Sequence, residues 1–202
     1  MGITTSGIEP HWNYLLALDA DLVQLSRYID FQPDNFECFS IEMARIFLAA
    51  ASEVDVVCKQ VCRQINVRSK ADNINQYRNE IVAAYPYIPE FAVLLPRFGL
   101  TLHPWDEWKK KGAVPIWWTS YNKVKHERAA HFNRANLKNT INSVAGLFVM
   151  VLHLYEKNAA TGELAPPPQL LHVDEAHHGG VHVGGHEIGI AYNLDGSEDG
   201  PE

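Results

Sequence analysis

The stretch SIEMARIFLAAASEVDVVCKQVCRQI, residues 40–65, decides the fold. It contains no glycine or proline, and its apolar residues recur every three or four positions, from Ile41 to Ile65. This spacing places one apolar stripe along a helix, so it predicts an amphipathic helix over residues 40–65. Ser40 or Asp34 is placed to cap its start, because both side chains accept hydrogen bonds from backbone N–H groups.

Four further segments carry a helical pattern, and together they predict an all-α protein, a bundle of four or five helices. These segments are Trp12–Tyr28, Asn73–Ala84, Trp117–His126 and Ala129–Tyr155. Between them, Tyr85–Pro115 holds five prolines and is predicted to be an irregular insertion, with a short helix near Pro89–Leu95 and an extended piece at Phe98–Leu102. We expect the surrounding tryptophans to fix this insertion to the core: Trp105, Trp108, Trp117 and Trp118.

The composition changes after Lys157. Three consecutive prolines, residues 166–168, predict a stiff linker, and a segment rich in glycine, histidine and acidic residues follows. We therefore divide the chain into a helical domain, residues 1–157, and a linker with a mostly non-helical acidic tail, residues 158–202. Alternating apolar residues make a small hairpin in this tail one expectation, and a mobile segment is an equal alternative. These apolar residues are Val181, Val183, Ile188 and Ile190.

Several classes of protein lack support in the sequence. No apolar run reaches the roughly 18 residues that cross a bilayer, and the start shows no secretory signal, so we expect a cytoplasmic protein without membrane contact. No P-loop, dinucleotide-binding glycine motif, metalloprotease motif or CxxC pair occurs. The tail histidines, His177, His178, His182 and His186, are more typical of a polar tail than of a native metal site. We expect neither a metal nor a cofactor.

Charge is unevenly distributed along the chain, whose net charge is −7. Residues 156–202 contain nine acidic residues and one basic residue, a net −8, which leaves +1 for the first 155 residues. Within those, residues 97–138 contain nine basic and three acidic residues, a local +6. A cluster of this kind attracts a polyanion, and a solvated helix face is the alternative.

The densest polar cluster is WWTSYNKVKHERAAHF, residues 117–132. On a helix, Asn122 and His126 share one face, while Lys125 and Arg128 lie on an adjacent face. A neutral histidine can act as general base on a 2′-hydroxyl while a cation holds the scissile phosphate, which is the chemistry of a metal-independent ribonuclease. A structural network that bridges two helices is the alternative.

This arrangement resembles the HEPN superfamily, small all-α proteins of prokaryotic defence and toxin systems. The similarity covers roughly residues 36–157, in LPRFGLTLHPWDEW, PIWWTSYNKVKHER and ANLKNTINSVAGLF, and is closest to an uncharacterised bacterial group with a Trp-Trp, Tyr-Asn, Lys-His-x-Arg core. HEPN ribonucleases usually carry an arginine, four to six residues and then a histidine. His126 matches that histidine, whereas no arginine lies five to seven positions before it. The resemblance implies a homodimer.

The sequence therefore predicts an RNA-directed protein of the defence or toxin–antitoxin type, with an antitoxin or other protein as a further partner. The predicted catalytic residues of a metal-independent ribonuclease with a degenerate motif are His126, Asn122 and Arg128. The predicted RNA-binding residues are Lys123, Lys125 and Arg134. The alternative is a non-catalytic helical interaction module in which the Lys-His-x-Arg cluster is structural.

Overall fold

The structure of the protein, a computed structural model, describes residues 9–184 and 187–196. This part of the chain forms six α-helices: α1 (Pro10–Leu25), α2 (Ile41–Ile65), α3 (Ile74–Ala84), α4 (Ile116–His131), α5 (Leu137–Leu154) and α6 (Glu156–Thr161). It also forms five short strands: β1 (Val93–Leu95), β2 (Leu100–Leu102), β3 (His172–Val173), β4 (His178–Gly184) and β5 (Glu187–Tyr192). The architecture is mainly helical, as expected, but it is not purely all-α.

The centre of the fold is the pairing of α5 with α2, and α1, α3 and α4 pack around this pair. Both helices begin at side-chain caps. The Ser40 hydroxyl accepts a hydrogen bond from the Met43 N–H at 3.1 Å, which confirms the predicted helix start. The Asn136 side chain accepts one from the Asn139 N–H at 3.0 Å, so α5 begins eight residues later than the predicted helix at Ala129. A capping side chain decides each start.

The strands account for the correction to the all-α prediction. β1 pairs antiparallel with β2 on one side, across a turn in which Gly99 adopts φ 61°. On its other side β1 pairs with β3, with Val93 opposite Val173. The second half of the predicted helical piece Pro89–Leu95 is thus a strand, because pairing with a distant segment outweighs local helix preference in so short a run.

The acidic tail packs on the helical part of the chain. Leu164, Leu170 and Leu171 belong to the same hydrophobic core as α2 and α5. The buried Asp19 carboxylate on α1 accepts hydrogen bonds from the backbone N–H groups of Gln169 and Leu170, at 2.7 and 3.1 Å. β4 and β5 form the predicted hairpin.

The tryptophans fix the proline-rich insertion to α5, as expected. Trp105, Trp108 and Trp117 are buried. The Trp105 indole N–H donates to the Gly146 carbonyl at 3.3 Å, and that of Trp117 donates to the Pro104 carbonyl at 2.8 Å. A Cβ on Gly146 would lie 3.0 Å from the Trp117 ring, so glycine permits the close approach of α4 to α5.

α5 is also the one helix in the described ranges that is long and apolar enough to cross a membrane. Most of it is buried inside the protein, with only Lys138, Asn142 and Leu154 outside the buried class. This burial is what the core helix of a soluble protein shows, because its apolar surface is already covered by protein.

Candidate nucleic-acid interface

The two halves of α4 differ in their packing. In the first half Trp117, Trp118, Tyr121 and Val124 are buried against the core. From Lys125 onward six consecutive residues, 125–130, are exposed on every side of the helix. The tryptophans therefore anchor the start of α4, and its second half stands on the surface with its polar side chains in solvent.

A break in the helix separates the predicted catalytic residues. Glu127 has φ −137° and ψ 53°, outside the helical region, although no glycine or proline lies nearby. Asn122 and His126 precede this break, four residues apart in helical backbone, so they share a face. Arg128 follows the break and lies with Lys125 in a groove against α2. The structure thus pairs Arg128 with Lys125 and places Asn122 and His126 outside that groove.

We use the name α4 basic surface for four cations of α4 and the 3-10 turn after it: Lys123, Lys125 and Arg134, predicted to bind RNA, and Arg128, predicted to be catalytic. Lys123, Lys125 and Arg128 are exposed and Arg134 is half-buried. None of the four cations has a carboxylate within salt-bridge distance in residues 9–184 and 187–196. Their charges are therefore available to an external anion.

Two further residues, Glu127 and Tyr121, lie beside cations of the α4 basic surface. Glu127 is the one acidic residue on α4, and it pairs with the half-buried His131 at 3.6 Å. The Lys125 ammonium lies over the Tyr121 ring, 5.3 Å from the ring centroid. A cation above an aromatic face is held in place and keeps its charge, so Lys125 remains usable for phosphate binding.

His126 itself is exposed, and in the described part of the chain its ring has no hydrogen-bond partner. A catalytic histidine is usually oriented by a hydrogen bond to its second ring nitrogen. His126 is accessible, but no such group orients its ring in the described part of the chain. Nor do the described residues enclose His126 in a buried network of the kind that a purely structural histidine would form.

One polar cluster was not predicted from the sequence. The half-buried His11 of α1 lies between two side chains of α2: its Nδ1 is 2.5 Å from Glu53 Oε1, and its Nε2 is 2.7 Å from Gln60 Nε2. Glu53 thus pairs with a residue of another helix, His11. The two residues are 42 positions apart, so no local pattern signals the contact.

An apolar groove borders the α4 basic surface. We call it the α2–α4 groove; it has a volume of about 780 Å³. Its lining residues are Ile41, Ala44, Arg45, Leu48, Arg128, Ala129 and Phe132. Ile41 is 78% exposed, and Phe39 beside it is 49% exposed and packs edge-on against Phe132. Arg45 forms ion pairs with Asp21 and Glu42, both at 2.9 Å.

Within the described residues no group of three or more histidine, cysteine, aspartate or glutamate side chains is placed to hold a metal ion. His177 is instead bound to Asp174, with Nδ1 2.5 Å from Oδ1. His186, the last member of the histidine cluster, lies outside the described residues.

Comparison with known proteins gives no relative. No family model, curated protein or solved structure matches this chain. The resemblance to the HEPN superfamily therefore stays a prediction, and the function must be argued from the surface chemistry of this chain.

Proposed function

We propose that the chain is an RNA-directed cytoplasmic protein that binds RNA through the α4 basic surface. One observation carries the proposal: Lys125 and Arg128 line one groove, and neither these two nor Lys123 and Arg134 has a carboxylate partner in the described part of the chain, although the protein's net charge is −7. Phosphate backbones are bound by such cations with release of counterions. A defence or toxin–antitoxin role for this protein belongs to the same proposal, and it rests on the HEPN resemblance.

Cleavage of the bound RNA is the finer part of the proposal. His126 is exposed on α4, so it can take the proton of a 2′-hydroxyl as that oxygen bonds to the adjacent phosphorus; the bond to the 5′-oxygen breaks, and water protonates this leaving oxygen. Arg128 and Lys125 would hold the phosphate, and Asn122 would contact the ribose or the base. Because no protein group orients His126 in the described residues, the RNA itself must complete the geometry. We therefore expect a slow ribonuclease, or a binder without cleavage.

The binding proposal is tested by fluorescence anisotropy with a labelled structured RNA at low salt. In the test variant Lys123, Lys125 and Arg128 are replaced by alanine. The matched control replaces Arg63, Arg68 and Lys70, three exposed cations at the far end of α2 and just beyond it. Both variants lose the same charge. We expect the test variant to lose about tenfold or more in affinity and the control to lose much less. Equal losses of affinity in the two variants would show that RNA is attracted only non-specifically by positive charge, and would contradict the proposed site.

The cleavage proposal is tested by incubating the protein with the same RNA in the presence of EDTA. We expect any cleavage by the wild-type protein to disappear in His126→Ala, while His131→Ala retains it. RNA binding without cleavage in the wild type would leave the binding proposal intact and remove His126 as a catalytic residue. Cleavage that His126→Ala leaves unchanged would also remove it.

The α2–α4 groove favours a second candidate, a helical interaction module. Contiguous apolar side chains exposed in a groove mark protein contacts, and the predicted homodimer would bury them. Sedimentation equilibrium tests this candidate. We expect a dimer that Ile41→Lys converts to a monomer, while Val67→Lys, at another exposed apolar position, leaves it dimeric. A wild-type monomer at all concentrations would contradict the homodimer and leave a different protein, such as an antitoxin, as the partner.

A further inference from the structure

A second cavity lies away from α4, where the end of α3, the start of α6 and the end of β5 meet. It has a volume of about 380 Å³, within the range of small-molecule sites. We call it the tyrosine cavity, after the residues that give it its chemistry: Tyr85, Tyr87, Tyr192, Glu156 and Asp195. Among the described residues, no lysine, arginine or histidine lines it.

The rings and carboxylates of the tyrosine cavity are held in fixed relation. Tyr85 and Tyr87 meet edge to face, with ring centroids 6.2 Å apart and planes inclined at 65°. The Tyr85 hydroxyl donates to Glu156 Oε2 at 3.3 Å, which places one carboxylate at the rim. Tyr192 is buried at the end of β5, 4% exposed. Folding of the acidic tail onto α6 therefore completes the cavity.

The residue behind the two tyrosines adds no positive charge. His153 of α5 is fully buried, and its ring lies 4.9 Å from that of Tyr85 and 5.7 Å from that of Tyr87. Its Nδ1 donates to the Val149 carbonyl at 2.7 Å, and burial lowers its pKa to about 4, so the ring is neutral near pH 7. Burial raises the pKa of all three tyrosines, which therefore remain neutral phenols.

We propose that the tyrosine cavity binds a small organic cation through an alkylammonium group. The negative faces of aromatic rings attract such a cation, and the attraction is strongest for groups whose methyl or methylene shell fits against the rings. Glu156 adds a negative charge at the same place. An anion would meet this carboxylate with no lysine, arginine or histidine among the described lining residues, so the cavity selects by charge as well as by shape.

The test compares choline with 3,3-dimethylbutan-1-ol, its neutral isostere, by isothermal titration calorimetry on the full chain. The two molecules have almost the same shape and differ in charge. We expect saturable choline binding at one site per chain and binding of the neutral alcohol that is about tenfold weaker or absent. Tetramethylammonium and putrescine serve as further probes. Equal binding of choline and the alcohol, or no saturable binding of any of the three cations, would overturn the proposal.

Variants locate the binding at the cavity. Glu156→Gln keeps the side chain's size and removes its charge, and we expect choline affinity to fall several-fold. Tyr87→Leu removes an aromatic face and should weaken binding further, while Tyr87→Phe keeps the face and should bind choline nearly as well as the wild type. Glu175→Gln, an exposed carboxylate outside the cavity lining, is the matched control. Circular dichroism checks folding. Loss of affinity in Glu175→Gln equal to that in Glu156→Gln would contradict the assignment.

Discussion

α5 and the second half of α4 are both helical, but they meet opposite surroundings. α5 is buried along nearly its whole length, with apolar side chains facing α2, α1 and α4. Residues 125–130 of α4 are exposed and mostly polar. The first is held by packing on all sides, whereas the second depends on the tryptophan anchor that precedes it.

The difference distinguishes a helix that stabilises the fold from a helix end that can contact a partner. A helix that is fully packed cannot present side chains to a partner, and a helix end without a buried face gains little stability from the fold. The second half of α4 can therefore carry charged side chains, which would be costly to bury in the core.

The largest effect should come from truncating the centre of α5. Phe148 is fully buried and contacts the rings of Trp12 and Tyr192, at 6.3 and 6.0 Å between centroids. We expect Phe148→Ala to lower the free energy of unfolding by about 3–5 kcal/mol, because it leaves a cavity. Arg128→Ala on α4 should change it by less than about 0.5 kcal/mol. Urea unfolding measures both, and equal losses would contradict the contrast between the helices.

The second effect is the pH dependence caused by His153. Burial lowers its folded-state pKa from 6.5 to about 4, so the unfolded chain binds a proton more readily between these values. Stability contributed by the neutral ring is thus complete above pH 6.5 and is lost as the pH falls toward 4, by at most about 3 kcal/mol. Burial raises the pKa of Asp19, which acts in the opposite direction at acidic pH.

The contribution of His153 is measured by comparing the unfolding of His153→Gln with that of the wild type between pH 7 and pH 5. Asp19 is present in both proteins, so its effect cancels in the comparison. We expect the variant to lose less stability on acidification than the wild type does. The exposed His126→Gln controls for the loss of a histidine. A His126→Gln variant that flattens the profile as much as His153→Gln would show that the effect does not belong to the buried ring.

A smaller effect tests the junction between the two helices. In Gly146→Ala the added Cβ would meet the Trp117 ring at 3.0 Å, so α4 must move or the ring must turn. We expect a loss of about 1–3 kcal/mol. Thermal unfolding detects the loss, and the change in near-ultraviolet circular dichroism reports the tryptophans. Ala145→Ser, at a neighbouring buried position, is the control; an unchanged Trp signal in Gly146→Ala would mean that α4 is not fixed through this contact.

The parts of the fold that sequence predicted are those fixed by local signals. The period of residues 40–65 and the cap at Ser40 place α2 to within a residue. The pairing of β1 with β3 joins residues some 80 positions apart, and the His11–Glu53 contact joins residues 42 positions apart. Such contacts depend on how elements pack, so no local pattern specifies them. The tyrosine cavity was missed for the same reason, since the tail supplies one wall.

In the candidate site, too, only the features with a local signal could be predicted from the sequence. The charge of Lys123, Lys125 and Arg128 and their position on one helix are evident from the sequence. The break at Glu127 has no glycine or proline to signal it, so the sequence does not predict it. The two faces that helical spacing predicts are present: Lys125 and Arg128 line one groove, and Asn122 and His126 lie outside it.

The central claim is that the α4 basic surface binds RNA phosphates, and the salt dependence of RNA affinity tests it most directly. The measurement is the slope of log affinity against log salt concentration for the wild type and for the Lys123, Lys125 and Arg128 to alanine variant. Each lost phosphate contact should reduce the slope by about 0.7–0.9, so three should reduce it by roughly 2. A variant with the wild-type slope would contradict the claim, because the three cations would then make no contact with phosphate.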